Sequence, residues 1–193
     1  IMAGMNITPK RMETINFTRP YASGPHGFAV MKSSPLAKIG AGPTLSLTAN
    51  KADAQKAIDA LKTHLKGKVI GAQVSTTNSA FVEEHFKGVA SDIRLYKTTE
   101  QHDLDLAAGR IDAAFAANSY WTDVLSKPAG KDMMTVGPAL SGGSLGLGVA
   151  VGVRKGDDDL KKMFDDVIAA AIKDGTIKTM SMKWFKLDMT PKS

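Results

Sequence analysis

The sequence predicts an α/β protein, and three observations carry that expectation. Apolar, strand-like runs alternate with segments of helical period through the middle of the chain. Gly, Pro, Ser and Asn punctuate the joins between them. The stretch Asp103 to Phe115 (DLDLAAGRIDAAF) compresses a helix, a turn and a strand. Such alternation implies a mostly parallel or mixed sheet flanked by helices.

In chain order, Ile1 and Met2 read as the tail of a buried strand. A polar turn through Arg11 follows, then a second apolar stretch closed by Arg19-Pro20-Tyr21. After Gly24-Pro25-His26-Gly27, Phe28 to Met31 reads as a short strand. Ser33 to Leu47, rich in Gly, Pro and Ser, reads as a loop. Asn50 and Asp53 signal a helix start, and Ala54, Ile58, Leu61 and Leu65 recur at helical spacing until Gly67. Lys68 to Val74 is a strand. Ser75-Thr76-Thr77-Asn78 then caps a helix, Ser79 to Phe86, whose buried side is Phe81, Val82 and Phe86. Ile93 to Tyr96 is a strand, and Thr98 with Gln101 forms a capping box for a helix ending near Ala108-Gly109. Ile111 to Ala116 (strand), Ser119 to Leu125 (helix) and Met133 to Val136 (strand) complete the alternation.

Gly142-Gly143 with Gly146 and Gly148 marks a flexible crossing, after which Val149 to Val153 is strand-like. Leu160, Met163, Phe164, Val167, Ile168, Ala171 and Ile172 draw the clearest helical stripe, with Asp157 to Asp159 suited to its positive N-terminal end. Gly175 ends that helix, and Ile177, Met180 and Trp184 begin another. One α/β lobe, residues 25–149, is thus bracketed by two pieces, 1–24 and 150–193. Together these would form part of a second lobe.

Composition excludes several classes. Apolar residues at 43% and charged residues at 23% of 193 are ordinary for a globular domain. Without cysteine there is neither a disulfide framework nor a thiolate metal site. The net charge of +6 raises nucleic-acid binding. Yet the bases are scattered beside acids, as in Arg154-Lys155-Gly156-Asp157-Asp158-Asp159, and aromatics are only 6%. A groove that tracks phosphates wants clustered bases with stacking rings between them, so no nucleic-acid partner is expected. The opening residues carry no initiator Met and no basic export leader.

Nothing in the sequence looks catalytic. His26, His64, His85 and His102 lack metal-ligand spacing, and all but His26 read as surface or rim residues. There is no nucleophile elbow, no Walker loop and no HExxH. Neither a metal nor a cofactor is expected.

Binding chemistry is different. Asn6-Ile7-Thr8-Pro9-Lys10-Arg11 presents a guanidinium after a short polar turn, and a planar five-donor fork suits a carboxylate. A surface ion pair with Glu13 is the competing use of Arg11. Ser75 to Asn78, at a helix start, offers hydroxyls and backbone N–H groups to an anion. Plain N-capping is the competing use there.

These residues carry a resemblance. MNITPKRMETINFTRPY, KVIGAQVSTTNSAF, DLAAGRIDAAF, GVAVGVRKGDDDLKKMFD and DGTIKTMSMKWF, in that order, resemble the type II periplasmic binding proteins of polar amino acid and opine ABC importers. The extra helix around Asn50 to Leu65 looks most like the nopaline and octopine branch. The resemblance implies two α/β lobes joined by two hinge crossings, with the first lobe incomplete. It implies a polar amino acid or opine held between the lobes and delivered to a membrane permease, in the periplasm. Arg11 would clamp the ligand carboxylate, with Ala3, Gly4 and Asn6 along the same wall. Gln73, Ser75, Thr76, Thr77 and Asn78 would close from the other lobe, and His26 would help set specificity. Ala117, with Asn118 beside it, stands where the amino acid binders carry an Asp for the ligand ammonium. An opine, whose amine is substituted, suffers less from that loss. Two alternatives accompany this reading. One is a binding-impaired remnant, relieved by domain swapping or a homodimer through the incomplete lobe. The other is a dehydratase-like enzyme on the same fold.

Overall fold

The computed structural model describes residues 1–191; residues 192 and 193, the end of the second flanking piece, lie outside the described residues. The chain opens with a short helix α1 (Pro9–Met12) and strand β1 (Ile15–Phe17). Then come β2 (His26–Met31), β3 (Ala41–Ser46), α2 (Lys51–Leu65), β4 (Val69–Gln73) and α3 (Thr77–Phe86). They are followed by β5 (Asp92–Tyr96), α4 (Thr99–Ala107), β6 (Ala113–Ala117), α5 (Asn118–Leu125) and β7 (Met133–Ser141). The last elements are β8 (Gly152–Arg154), α6 (Asp158–Lys173) and α7 (Thr176–Phe185). Two compact units result, one of Pro25–Leu145 and one of Ile1–Gly24 with the residues from Gly146 onward.

The central unit is built on a six-stranded mixed sheet in the order β3-β7-β2-β6-β4-β5. β4 runs parallel to β5 and β6, whereas β2 runs antiparallel to both β6 and β7. Side chains alternate across a strand, so each face collects its own core. Phe28 and Val30 of β2 join Ala113 and Phe115 of β6 under α2 and α3. Ala29, Ala114 and Ala116 face the other way, against Leu106 of α4 and Trp121 of α5. The predicted stripe of α2, Ala54, Ile58, Leu61 and Leu65, is entirely buried. So are Phe81, Val82 and Phe86 of α3. Trp121 buries its indole and still satisfies its N–H, which donates to the Gly27 carbonyl at 3.0 Å.

Several expectations for this unit need correction. The expected loop Ser33 to Leu47 contains a 3-10 turn, Pro35–Ile39, and the whole of β3. β3 is an edge strand, where Pro43 is tolerated because no neighbour needs its missing N–H. Gly42 is required for close approach, since a Cβ there would lie 2.9 Å from the Gly137 backbone. β7 also continues past Val136 to Ser141, because β3 supplies its outer half with a partner. His102 is not a rim residue. It is fully buried with Leu106, one helical turn on, and its ring packs against Tyr96, Tyr120 and Trp121. His64 is exposed and His85 half-buried.

The second unit is smaller in core. β1 and β8 form an antiparallel ladder, Ile15 opposite Arg154 and Phe17 opposite Gly152. Ile7, Phe17 and Ala150 make one small cluster; Val151, Val153 and Ile168 make another, supported by Tyr21 and Phe164. Ile1 exchanges two backbone hydrogen bonds with Gly152, but it and Met2 lie outside any strand and are about two-thirds exposed. The expectation of a buried strand tail fails there. α6 forms as its period predicts, yet only Ile168 of its stripe is buried, and Leu160, Met163 and Val167 are exposed.

Candidate functional site

Arg11 belongs to the second unit. Thr8 caps α1, its hydroxyl accepting the Arg11 backbone N–H at 3.3 Å, and Pro9 takes a first-turn position that needs no donor. The half-buried guanidinium donates from Nη1 to the Asn6 carbonyl at 2.8 Å. Among the described residues Arg11 makes no ion pair, so the pairing with Glu13 does not form. One anchored N–H leaves the rest of the fork for an outside acceptor, preferably a charged one. Asn6 is held by a bridge to Val149. Ala3 accepts the Tyr21 hydroxyl at 2.9 Å, and beside it Gly4 is exposed, with nothing near the space a Cβ would fill.

The other predicted residues belong to the central unit, where the C-terminal end of β4 meets α3. Ser75, exposed, takes a left-handed backbone with φ 61°, uncommon for a residue other than glycine. Thr76 is the N-cap, and its hydroxyl accepts the Ser79 N–H at 3.3 Å and donates to the Gln73 carbonyl at 2.7 Å. Ser79 answers by accepting the Thr76 N–H at 3.3 Å, a reciprocal box. The Thr76 hydroxyl is therefore committed to capping. The Gln73 side chain is tied to the Lys97 carbonyl at 3.2 Å. Thr77 is buried, and Asn78 turns its amide oxygen to His26 Nδ1 at 2.7 Å.

His26 starts β2 opposite Ala117 of β6, and its ring stacks over Phe115 at 6.3 Å between centroids. It is 6% exposed, and burial pulls its pKa below the usual imidazole range against the opposing pull of the Asn78 bond. Asn118 begins α5, with its N–H on the Pro25 carbonyl at 2.9 Å. Among the described residues its buried Oδ1 has no hydrogen-bond partner, and it rests against Gly27. His26, Asn78, Ala117 and Asn118 thus come together at one end of the sheet, and no carboxylate belongs to this set. The sequence reading missed the His26–Asn78 pair, which joins residues 52 apart, beyond the reach of any local signal. It also missed Ser79, whose short hydroxyl does the work more often given to Glu or Gln. A Thr-x-x-Ser pattern at a helix start was the available signal.

Among the described residues no three His, Asp or Glu are grouped to hold a metal ion, and no helix is long and apolar enough to cross a membrane. The model of the bacterial extracellular solute-binding proteins, family 3, matches residues 1–187. The octopine-binding periplasmic protein of Rhizobium meliloti is 45% identical over 99% of this chain, which spans 71% of that relative. The histidine-binding periplasmic protein of Salmonella typhimurium is 31% identical over 98% of this chain, which spans 65% of it. A periplasmic His/Glu/Gln/Arg/opine family-binding protein from Silicibacter pomeroyi, solved in complex with lysine, superposes with a TM-score of 0.70 at 26% identity, covering 97% of this chain and 69% of its own. The chain belongs to the bacterial extracellular solute-binding proteins, family 3, and carries their α/β fold.

Proposed function

We propose that this chain is the substrate-binding component of an ABC importer that takes up an opine or a polar amino acid in the periplasm and delivers it to a membrane permease. The observation that carries the reading is Arg11, a guanidinium anchored by one backbone bond and unpaired with any carboxylate among the described residues. The remaining N–H groups of the fork suit a carboxylate, which a planar guanidinium can meet with two parallel hydrogen bonds. The similarity to an octopine-binding protein supports an opine in particular. Ala117 adds support, because a free ligand ammonium would find no fixed counter-charge there.

In this proposal Arg11 takes the ligand carboxylate. The first turn of α3, in the central unit, offers its free backbone N–H groups to an anion. Thr76 and Gln73 act by shaping that turn, since their side chains are engaged within it. That binding relatives share this chain's whole length favours this reading over an impaired remnant. A homodimer belongs to the proposal as well, supported by the exposed apolar face of α6 and α7; sedimentation velocity reads it as a concentration-dependent shift.

A ligand panel read by thermal denaturation tests the function. A ligand at one hundred times its Kd stabilises the native state by about 2.7 kcal/mol. Octopine or a basic amino acid should raise the Tm, and a panel of opines and polar amino acids that leaves the Tm unmoved would overturn the proposal.

A further inference from the structure

We propose that the cavity between α4 and α5 is a second binding site on this chain. Its ligand is a small organic cation with an apolar body and no carboxylate of its own, in simplest form an arylalkyl ammonium. The cavity holds about 380 Å³, within the range of cavities that bind small molecules. It shares no lining residue with the Arg11 segment, the α3 turn or the His26 set, and it is independent of the solute site proposed above.

Two helix faces build it. Glu100, Asp103, Leu104 and Ala107 lie on α4 at i, i+3, i+4 and i+7, which is one face of a helix. Tyr120, Asp123 and Val124 repeat that spacing on α5, and Lys127 continues it past the helix end. The Tyr120 hydroxyl donates to Asp103 Oδ2 at 2.5 Å and ties the two faces together. Met133, buried at the start of β7, adds a wall from the sheet. Beyond α5 the chain returns through the 3-10 turn Pro128–Gly130, where a Cβ on Gly130 would collide with the Val124 carbonyl. Glycine at 130 therefore lets this turn press against α5 and set Ala129 into the lining.

The lining decides the chemistry of the occupant. Leu106 is fully buried in the core, whereas Leu104 is 67% exposed, so α4 turns one leucine to the sheet and the other to the cavity. Glu100 and Asp103 come from one helix and Asp123 from the other, against the single base Lys127, whose ammonium is already paired with Asp123. The backbone N–H of Glu100 and then the Thr98 hydroxyl hold the Glu100 carboxyl below the usual range, so it is ionised at neutral pH. Like charges on the two helices oppose closing the gap by direct contact. A bound cation relieves that repulsion, and its apolar body covers Leu104 and Val124. An opine or amino acid would bring its own carboxylate into the same negative field, which separates this site from the solute site.

The test is titration of phenethylammonium into the isotope-labelled chain, followed by the NMR shifts of backbone amides, with phenethyl alcohol and phenylacetate as neutral and anionic controls. The cation should shift amides of both α4 and α5 with a Kd of about 1 mM or tighter. The alcohol should bind at least about threefold more weakly, and phenylacetate not measurably. Glu100→Gln should weaken the cation about threefold and leave the alcohol unchanged. Val124→Trp, which fills the cavity, should remove the binding of both. No shifts on α4 and α5 at about 10 mM cation would overturn the proposal. So would either control binding as tightly as the cation, or Glu100→Gln binding the cation like the wild type. Octopine titrated into the wild type and Glu100→Gln should bind both alike, so a failure of this site is read apart from a failure of the function proposed above.

Discussion

The two units meet the demands of their apolar residues to different degrees. In Pro25–Leu145 a sheet with helices on both faces encloses Phe28, Phe81, Phe86 and Phe115, and every residue of the α2 stripe is covered. In the other unit the α6 stripe is at least as regular in sequence, but Met163 is 59% and Val167 63% exposed, and Trp184 of α7 is 64% exposed. The same pattern of side chains therefore has two outcomes. An amphipathic period states that a helix has a face to bury; only the neighbouring elements decide whether it is buried. The difference also separates the proposed roles. The better-packed unit holds the fixed imidazole and the capped turn, and the other holds the anchored guanidinium.

The comparison breaks most directly through the cores. Phe115→Ala should cost about 3–5 kcal/mol, because it opens a cavity among the rings of Phe28, Phe81 and His26. Urea denaturation followed by circular dichroism reads the loss, and a cost under 1 kcal/mol would show that this core is not tightly packed. A cap comes next. Thr76→Ala should cost about 1 kcal/mol, since Thr76 both accepts from Ser79 and holds the Gln73 carbonyl. Asn50→Ala, at a helix start where the side chain makes no capping bond, should cost distinctly less in the same assay.

A pH experiment sharpens the picture at the edge of the sheet. Burial and then the Asp105 carboxylate push the Tyr96 phenol up to about 12, from 10.0. A raised phenol contributes stability that is whole below pH 10 and is lost as pH climbs through 12, because the unfolded chain ionises first. The Tm advantage of the wild type over Tyr96→Phe should therefore shrink between pH 10 and 12; a constant gap would contradict it. The smallest effect is expected on α6. At dilutions where the chain is monomeric, Val167→Ser should change stability by less than about 0.5 kcal/mol, since it removes a side chain that is then largely in water. A loss comparable to that of Phe115→Ala would mean that the face is covered in solution.

Local patterns made much of this legible. The alternation of elements, the buried faces of α2 and α3 and the Thr98–Gln101 box, in which Gln101 accepts the Thr98 N–H, were written in short windows. β3 was not legible, because Gly42 and Pro43 read as loop residues until an edge position explains them. His102 was misread since a histidine with acidic neighbours looks exposed, and only the packing of Tyr120 and Trp121 around it makes it core. At the site, Arg11 and the α3 turn stood out by residue type. The use of the Thr76 hydroxyl and the His26–Asn78 bond needed the fold, being set by contacts that sequence spacing does not encode.

The central claim, that Arg11 is kept for a solute carboxylate, is tested most directly by titrating octopine into the wild type, Arg11→Lys and Arg11→Ala under calorimetry. The account predicts binding by the wild type, at least about tenfold weaker binding by Arg11→Lys, whose point charge lacks the planar fork, and none measurable by Arg11→Ala. Equal affinity for all three chains would contradict it.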